Sequence, residues 1–122
     1  FKTTKNLPFS KYLKELSKAD VLLDQVYGYD QGYNALEAMA MGKVVFTGAE
    51  KEFLSYYNLK EDEVAINALP DVEYLVEKLN FLINNPSELE RIGKNARAFI
   101  EEHHDSHKIA QAYIDAWLKT MR

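Results

Sequence analysis

The 122-residue sequence contains no cysteine, which excludes a disulfide framework, a thiolate zinc site and a cysteine nucleophile. It has no apolar run near the ~20 residues that a membrane-spanning helix requires. Its first ten residues, FKTTKNLPFS, lack the apolar core of a signal peptide. A chain of this size buries about two-thirds of its unfolded surface, so its core needs no covalent or metal crosslink. We therefore expect a soluble, cytoplasmic domain.

Positive charge is also scarce, with 15 Lys and Arg against 19 Asp and Glu and a net charge of −4. The basic residues are scattered along the chain, so the electrostatic footprint of a nucleic-acid binder is missing. The hydrophobic fraction of 47% and the charged fraction of 28% are ordinary for a folded domain. Because the chain begins at Phe1 without an initiator Met, we expect it to be part of a longer protein.

Three short aliphatic runs, at residues 21–23, 43–47 and 63–67, are typical of strands buried on both faces. Helical patterns lie between and after them. The predicted helices cover residues 11–18, 32–41, 50–57, 72–83, a segment from 86 to at least 100, and a last one from 106. Strands that alternate with helices predict an α/β fold, with a Rossmann-like parallel sheet of about three strands, flanking helices and a helical C-terminal region. A doubly wound sheet normally has more strands, so either its first part lies upstream or this is a small three-layer unit.

Cap residues set the expected helix boundaries. Ser10 is predicted to cap the first helix, and Gly42 to end the second in a C′ position. Asn85, Pro86 and Glu88 have the spacing of a capping box with proline at its first helical position.

The segment after the first strand, DQVYGYDQ at residues 24–31, lies where parallel sheets bind ligands. It is longer than the roughly 2–6 residues of ordinary strand-to-helix loops. Its glycine, tyrosines, aspartates and glutamines suit a binding loop, and a plain surface loop is the alternative.

Glu37 is the only charged residue in the following helix, GYNALEAMAM. That helix is apolar almost all round, and a buried carboxylate is costly unless it is hydrogen-bonded. Helical side chains lean toward the N-terminus, so Glu37 is expected to face Gly32 and the loop. There it can accept two hydrogen bonds from a vicinal diol such as ribose, while the helix N-terminus suits a phosphate. An exposed position or a pairing with lysine is the alternative.

The segments LPFSKYLKELSKADVLLDQ and GYNALEAMAMGKVVFTG resemble the C-terminal domain of group 1 (family 4) glycosyltransferases of the GT-B fold. The stretch LEAMAMGKVV, residues 36–45, follows the family pattern LEAMA-x-G-x-PVV closely. The downstream helices also match in order, so the resemblance covers essentially the whole chain. It implies that residues 1–122 are the C-terminal part of a nucleotide-sugar-binding domain.

The resemblance implies that Glu37, as the second Glu of the family's E-x7-E motif, holds the donor ribose hydroxyls. The first Glu, which normally contacts the donor sugar, falls on Tyr29, and either Asp30 or Asp24 is the substitute that we consider. The implied donor sugar and phosphate loop comprises Tyr29, Asp30, Gln31, Gly32, Tyr33 and Asn34.

The same resemblance implies transfer of a sugar from a nucleotide-sugar donor, usually with retention, without a catalytic metal and without a cofactor. The family's phosphate-binding Arg and Lys lie upstream, and the acceptor site belongs to an N-terminal domain. The acceptor would be a glycan or a lipid-linked acceptor, and the full-length protein could associate peripherally with a membrane. No catalytic residue is assigned within this chain, which by itself is not expected to turn over.

Two other functions are considered. A response-regulator receiver would use Asp24 as phosphoacceptor and Thr47 as switch hydroxyl, but the sequence before Asp24 is too short to hold the acidic pair that binds Mg²⁺. A non-catalytic interaction or scaffold domain is the other alternative.

Two C-terminal features remain. His103 and His107 are four residues apart, a spacing that suits a metal pair, although a solvated helix junction is the preferred interpretation. Tyr113 and Trp117 at helical spacing predict either core positions or a face for another lobe.

Overall fold

Helices and strands alternate through the first half of the chain in the computed structural model, which describes residues 1–121. The elements are α1 (Phe9–Lys18), β1 (Val21–Leu23), α2 (Tyr33–Ala40), β2 (Val44–Thr47), α3 (Lys51–Tyr57), β3 (Ile66–Asn67), α4 (Val72–Asn84), α5 (Pro86–His103) and α6 (Ser106–Thr120). The strands form one parallel sheet in the order β1-β2-β3. The predicted α/β class, three-stranded parallel sheet and helical C-terminal region are confirmed.

β2 is the centre of the sheet, and all four of its residues are buried. Val45 faces a cluster formed with α2, α3 and the second half of α5, whereas Val44 and Phe46 face a second cluster with α4 and the first half of α5. Alternate side chains of one short strand thus anchor both layers of helices, as a strand covered on both faces requires.

β1 was predicted to be buried on both faces, but it lies at an edge of the described sheet and is partly exposed. Leu23 is 47% exposed. A groove of about 810 Å³ runs beside β1 and is lined mainly by apolar residues of β1, α1 and α4 together with residues 1–4.

β3 is shorter than the predicted strand over residues 63–67. Val64 and Ala65 are buried, but the chain before them turns through Asp62 at φ +56°. The carbonyls of Asp62 and Glu63 accept hydrogen bonds from α5, from Arg91 Nη2 at 3.2 Å and Asn95 Nδ2 at 3.0 Å. These side-chain bonds replace the sheet ladder at the start of the predicted strand.

Two of the predicted helix caps are wrong. α1 begins at Phe9, and the Pro8 carbonyl accepts the Tyr12 N–H at 3.0 Å, so Ser10 lies inside the first turn and does not cap it. Asn85 makes no capping bond to α5, because its amide donates to the Phe81 carbonyl at 2.8 Å.

The capping-box prediction for α5 is therefore wrong, and Glu88 instead binds Arg91 at 2.7 Å. Pro86 does begin α5, as predicted. Gly42 ends α2 at φ +74°, and the Gly42 and Lys43 N–H groups bond the Met39 and Ala38 carbonyls. This is the predicted left-handed C-terminal cap.

α6 is exposed along its whole length, including Tyr113 at 64% and Trp117 at 65%. The core alternative for these two aromatic residues is therefore wrong. Asp105 begins α6 by accepting hydrogen bonds from the N–H groups of His107 and Lys108 at 3.0 and 3.1 Å. Within residues 1–121, none of the helices combines the length and the apolar character needed to cross a bilayer.

Candidate functional site at the carboxyl edge of the sheet

Asp24 and Thr47 bring the ends of β1 and β2 together. The Asp24 N–H donates to the Phe46 carbonyl at 2.9 Å, which extends the strand pairing by one residue. The Thr47 hydroxyl, wholly buried, donates to Asp24 Oδ2 at 3.0 Å. Parallel sheets bind ligands beyond the carboxyl ends of their strands, so this bond fixes a carboxylate at the functional edge.

Glu37 projects from the second turn of α2 and is half-buried. Its Oε2 atom is buried and has no hydrogen-bond partner among residues 1–121. Glu37 also forms no ion pair within residues 1–121. Neither an exposed strip nor a lysine partner explains this residue. A buried carboxylate oxygen in that state is costly unless a ligand or water satisfies it.

Tyr12 of α1 is half-buried and packs against the core cluster that includes Ala35 and Ala38 of α2. Burial raises the pKa of Tyr12, and the negative charges of Glu37 and Asp24 raise it further. The Tyr12 hydroxyl is itself buried without a partner within the described chain. Tyr12 and Glu37 thus each have one buried polar atom that no group in residues 1–121 satisfies.

The loop between β1 and α2 rests directly on Gly48, the residue after β2. A Cβ atom at Gly48 would lie 2.5 Å from Asp30 N and Gly28 O and 2.6 Å from Tyr29 C. Gln31 Nε2 donates to the Gly48 carbonyl at 2.5 Å, and Asp30 Oδ1 accepts the Gln31 N–H at 2.8 Å. The backbone at the start of the predicted donor loop therefore packs directly against Gly48, at the end of β2.

The predicted loop residues otherwise face outward. Tyr29 and Tyr33 are 82% and 85% exposed. Asp30, Gly32 and Asn34 are exposed as well, whereas Gln31 is half-buried. Gly32 is the N-cap residue of α2 in extended conformation and has no side chain with which to cap it. The first N–H groups of α2 accordingly begin next to this loop, and their partial positive charge favours an anion.

The helix that carries Glu37 is buried on one face only. Ala35, Ala38 and Met39 are fully buried, but Leu36 and Ala40 are half-buried. The expectation of a helix buried almost all round is therefore too strong. The exposed arc arises because α2 packs on β2 and α5 while its remaining side stays open.

An aromatic cluster is formed by Tyr57 of α3 with Phe99, His103 and His104 at the end of α5. The ring centroids of Tyr57 and Phe99 are 4.9 Å apart, and those of Tyr57 and His103 are 4.6 Å apart. His103 is therefore an aromatic packing partner. No group of three or more metal-ligating side chains occurs in residues 1–121, so the His103 and His107 pair gains no further ligands there.

Burial lowers the pKa of His104, His103 lowers it further, and the charge of Asp30 partly opposes both. The folded protein thus prefers neutral His104, so this preference stabilises the fold above the ordinary pKa of about 6.5 and is lost at lower pH. We expect the unfolding temperature to fall from pH 7.5 to pH 5.5, and the fall to be smaller in His104→Gln. The matched variant is His107→Gln, at an exposed position of α6. Parallel pH profiles for wild type and His104→Gln would contradict the expectation.

The residues that sequence reasoning missed are those whose role depends on distant contacts. Tyr12 was predicted as part of the apolar side of α1, and no local pattern predicted that its hydroxyl is buried without a partner in the described chain. Thr47 was considered as a receiver switch hydroxyl, whereas it orients Asp24. Glycine after a predicted strand was the available signal for the close approach at Gly48.

Two comparisons with known proteins bear on the family of the chain. A family model described as glycosyl transferase-like matches residues 1–115. A search of curated proteins returns no match to the chain. The family match spans α1 through most of α6, including every residue of the candidate site. It supports neither the receiver nor the scaffold alternative. The chain belongs to the glycosyl transferase-like family.

Proposed function

We propose that residues 1–122 are the donor-binding part of a glycosyltransferase that moves a sugar from a nucleotide-sugar to a glycan or a lipid-linked acceptor. In this proposal the chain is the C-terminal part of a nucleotide-sugar-binding domain of GT-B type. One observation carries it: Glu37 presents a carboxylate with a buried, unsatisfied oxygen at the ligand edge of a parallel sheet.

The chemistry of Glu37 suits a ribose. An ionised carboxylate only accepts hydrogen bonds, and its two oxygens can receive both hydroxyls of a vicinal diol. The adjoining N-terminus of α2 offers backbone N–H groups for a phosphate, and its capping residue Gly32 lets a ligand approach closely. A diol site next to an anion site matches a nucleoside diphosphate.

For the sugar side of the donor, Asp24 is the better-supported substitute for the glutamate that Tyr29 replaces. Its carboxylate is oriented by the buried Thr47 hydroxyl at the carboxyl edge of the sheet. Asp30 is exposed and accepts the N–H of its own neighbour, Gln31. The side chain of Tyr29 points to solvent.

The rest of the proposed enzyme would complete the site. β1 forms an edge of the described sheet beside an apolar groove, which suits continuation of the sheet by further strands. Phosphate-binding basic residues and the acceptor site would come from those additional parts. Retention at the anomeric carbon belongs to the proposal through the family resemblance, and an assay of product anomeric configuration by NMR tests it.

The deciding experiment is calorimetric titration of the full-length protein with UDP, GDP and ADP. Glu37→Gln is expected to weaken the best of these at least about tenfold, because hydrogen bonds to a charged group are lost. The 2′-deoxy form of that nucleotide keeps only the 3′-hydroxyl, so its affinities for wild type and Glu37→Gln should differ less than those of the ribonucleotide.

Glu73→Gln, an exposed substitution in the first turn of α4, is the matched control and should bind like wild type. Equal affinities of wild type and Glu37→Gln for the ribonucleotide would refute the ribose role. A scaffold function is the second candidate, favoured by the exposed aromatic face of α6. It would show no nucleotide binding in any of the three proteins.

A further inference from the structure

Three exposed tyrosines lie on the loop between β1 and α2 and at the start of α2. Tyr27, Tyr29 and Tyr33 are 87%, 82% and 85% exposed. Tyr27 and Tyr29 flank Gly28, so the geometry of the chain keeps their Cα atoms within about 7 Å of each other. Large exposed rings that are concentrated on one short segment are typical of a binding surface.

The backbone that carries these rings is held in place by the residue after β2. A Cβ atom at Gly48 would lie 2.6 Å from Tyr29 C, and the Gly48 carbonyl accepts a hydrogen bond from Gln31 Nε2 at 2.5 Å. A tyrosine side chain has only two χ angles, so it loses little conformational entropy when a ligand covers it. Exposed rings on a fixed backbone can therefore bind a ligand without a large ordering cost.

The side chains of the same loop carry only negative charge. The sequence has no Lys or Arg between Lys18 and Lys43, and Asp24 and Asp30 are the charged residues of the loop over residues 24–31. Neither aspartate forms an ion pair within residues 1–121. An acidic ligand on the tyrosines would meet like charge, whereas an uncharged ligand would not.

An uncharged saccharide has the chemistry that exposed tyrosines recognise. The face of a pyranose ring presents C–H groups, which are attracted to the negative face of an aromatic ring. Sugar hydroxyls also exchange hydrogen bonds with the tyrosine hydroxyl and with an amide such as that of Asn34, which is exposed beside Tyr33.

The donor of the proposed function is assigned to other side chains. Glu37 has a buried carboxylate oxygen, and Asp24 is bonded to the buried Thr47 hydroxyl. The three tyrosine rings are not needed for those contacts. They remain available for the second substrate of a sugar transfer, which is the acceptor.

We propose that the exposed rings of Tyr27, Tyr29 and Tyr33 form an acceptor platform, which binds the sugar rings of an uncharged glycan. The inference rests on the proposed glycosyltransferase function and adds to it a class of acceptor and the side chains that bind it. The platform belongs to the loop whose backbone is assigned to the donor, so a glycan bound there is close to the sugar that is transferred.

The test starts with an array of immobilised oligosaccharides and the full-length protein, saturated with the best-bound of UDP, GDP and ADP. One set of oligosaccharides is uncharged and the other contains uronic acid residues. We expect binding to the uncharged set. Calorimetry with the best of these glycans then compares wild type with Tyr27→Ala, Tyr29→Ala and Tyr33→Ala. Each is expected to weaken glycan binding about tenfold, the effect of truncating an aromatic residue that anchors an interface.

Two further variants separate ring stacking from other effects. Tyr29→Phe keeps the ring and should weaken the glycan less than Tyr29→Ala does. The matched control is Tyr113→Ala, which removes a ring that is 64% exposed on α6 and should leave glycan affinity unchanged. The three alanine variants in the platform should bind the nucleotide and the nucleotide-sugar like wild type, and their unfolding temperatures should stay close to that of wild type because the rings are exposed.

The outcomes are distinguishable. If the alanine variants weaken the nucleotide-sugar and not the glycan, the tyrosines contact the donor, so the inference is overturned while the proposed function stands. Equal glycan affinities of wild type and all three variants also overturn it, as does binding to the acidic set alone or to neither set. A wild-type protein that binds no nucleotide would instead refute the proposed function on which the inference rests.

Discussion

Gly48→Ala is expected to lower the free energy of unfolding by about 3 kcal/mol, the upper part of the range for overpacking a well-packed site. It is also expected to weaken nucleotide binding strongly, because the loop over residues 28–31 loses its support. Urea denaturation of the 122-residue chain measures the first effect, and calorimetry of the full-length protein measures the second.

The size of this effect follows from what the new methyl group would meet. All three nearest atoms, in Gly28, Tyr29 and Asp30, belong to the backbone and lie within 2.6 Å of the Cβ position. No side chain can rotate to make room, so the loop itself must lift. Lifting it also breaks the bond from Gln31 to the Gly48 carbonyl.

Gly28→Ala is the matched control within the same loop. Its added Cβ would meet its nearest neighbour, Asp30 O, at 3.4 Å, an ordinary contact. We expect stability and affinity near wild type. If Gly48→Ala unfolds at the same urea concentration as Gly28→Ala, the loop does not rest on β2 as described.

Gly93→Ala is expected to destabilise the fold by a similar amount, about 3 kcal/mol. Gly93 lies on α5 where that helix crosses the end of α2, and a Cβ atom there would overlap the carbonyl oxygen of Gly42. Gly42 has little freedom to move, because its φ of +74° and the bonds of the α2 cap hold it in place. The two helices would have to separate.

The sign of this change is diagnostic. Within a helix, alanine is favoured over glycine by about 1 kcal/mol, so propensity alone predicts that Gly93→Ala stabilises the protein. Urea denaturation compares it with Lys94→Ala, an exposed neighbour on the same helix, which should change stability little. A stabilised Gly93→Ala variant would show that α2 and α5 are not in backbone contact.

Local patterns were sufficient for much of the fold. The helical period and the glycine after Met41 predicted α2 and its end, because both depend on residues within one or two turns. Glu37 was identified from the sequence for a similar reason, as the only charge in an apolar helix. The family resemblance then indicated which ligand such a carboxylate would hold.

The errors have a common physical cause, which is competition from residues distant in sequence. Arg91 donates a hydrogen bond to the Asp62 carbonyl, 29 residues away in the sequence, and β3 is shorter than predicted. The Asn85 side chain donates a hydrogen bond to the Phe81 carbonyl and therefore does not form the capping box that its spacing predicted. None of these choices can be read from a local pattern.

The support that Gly48 gives to the loop also bears on how this domain can diverge. The backbone of residues 28–31 is carried by β2, whereas Tyr27, Tyr29 and Tyr33 are more than 80% exposed. Mutations of these tyrosines change the chemistry that the loop offers without disturbing what holds it. Substitutions of these tyrosines can therefore alter ligand preference with little loss of stability, whereas Gly48 must remain glycine.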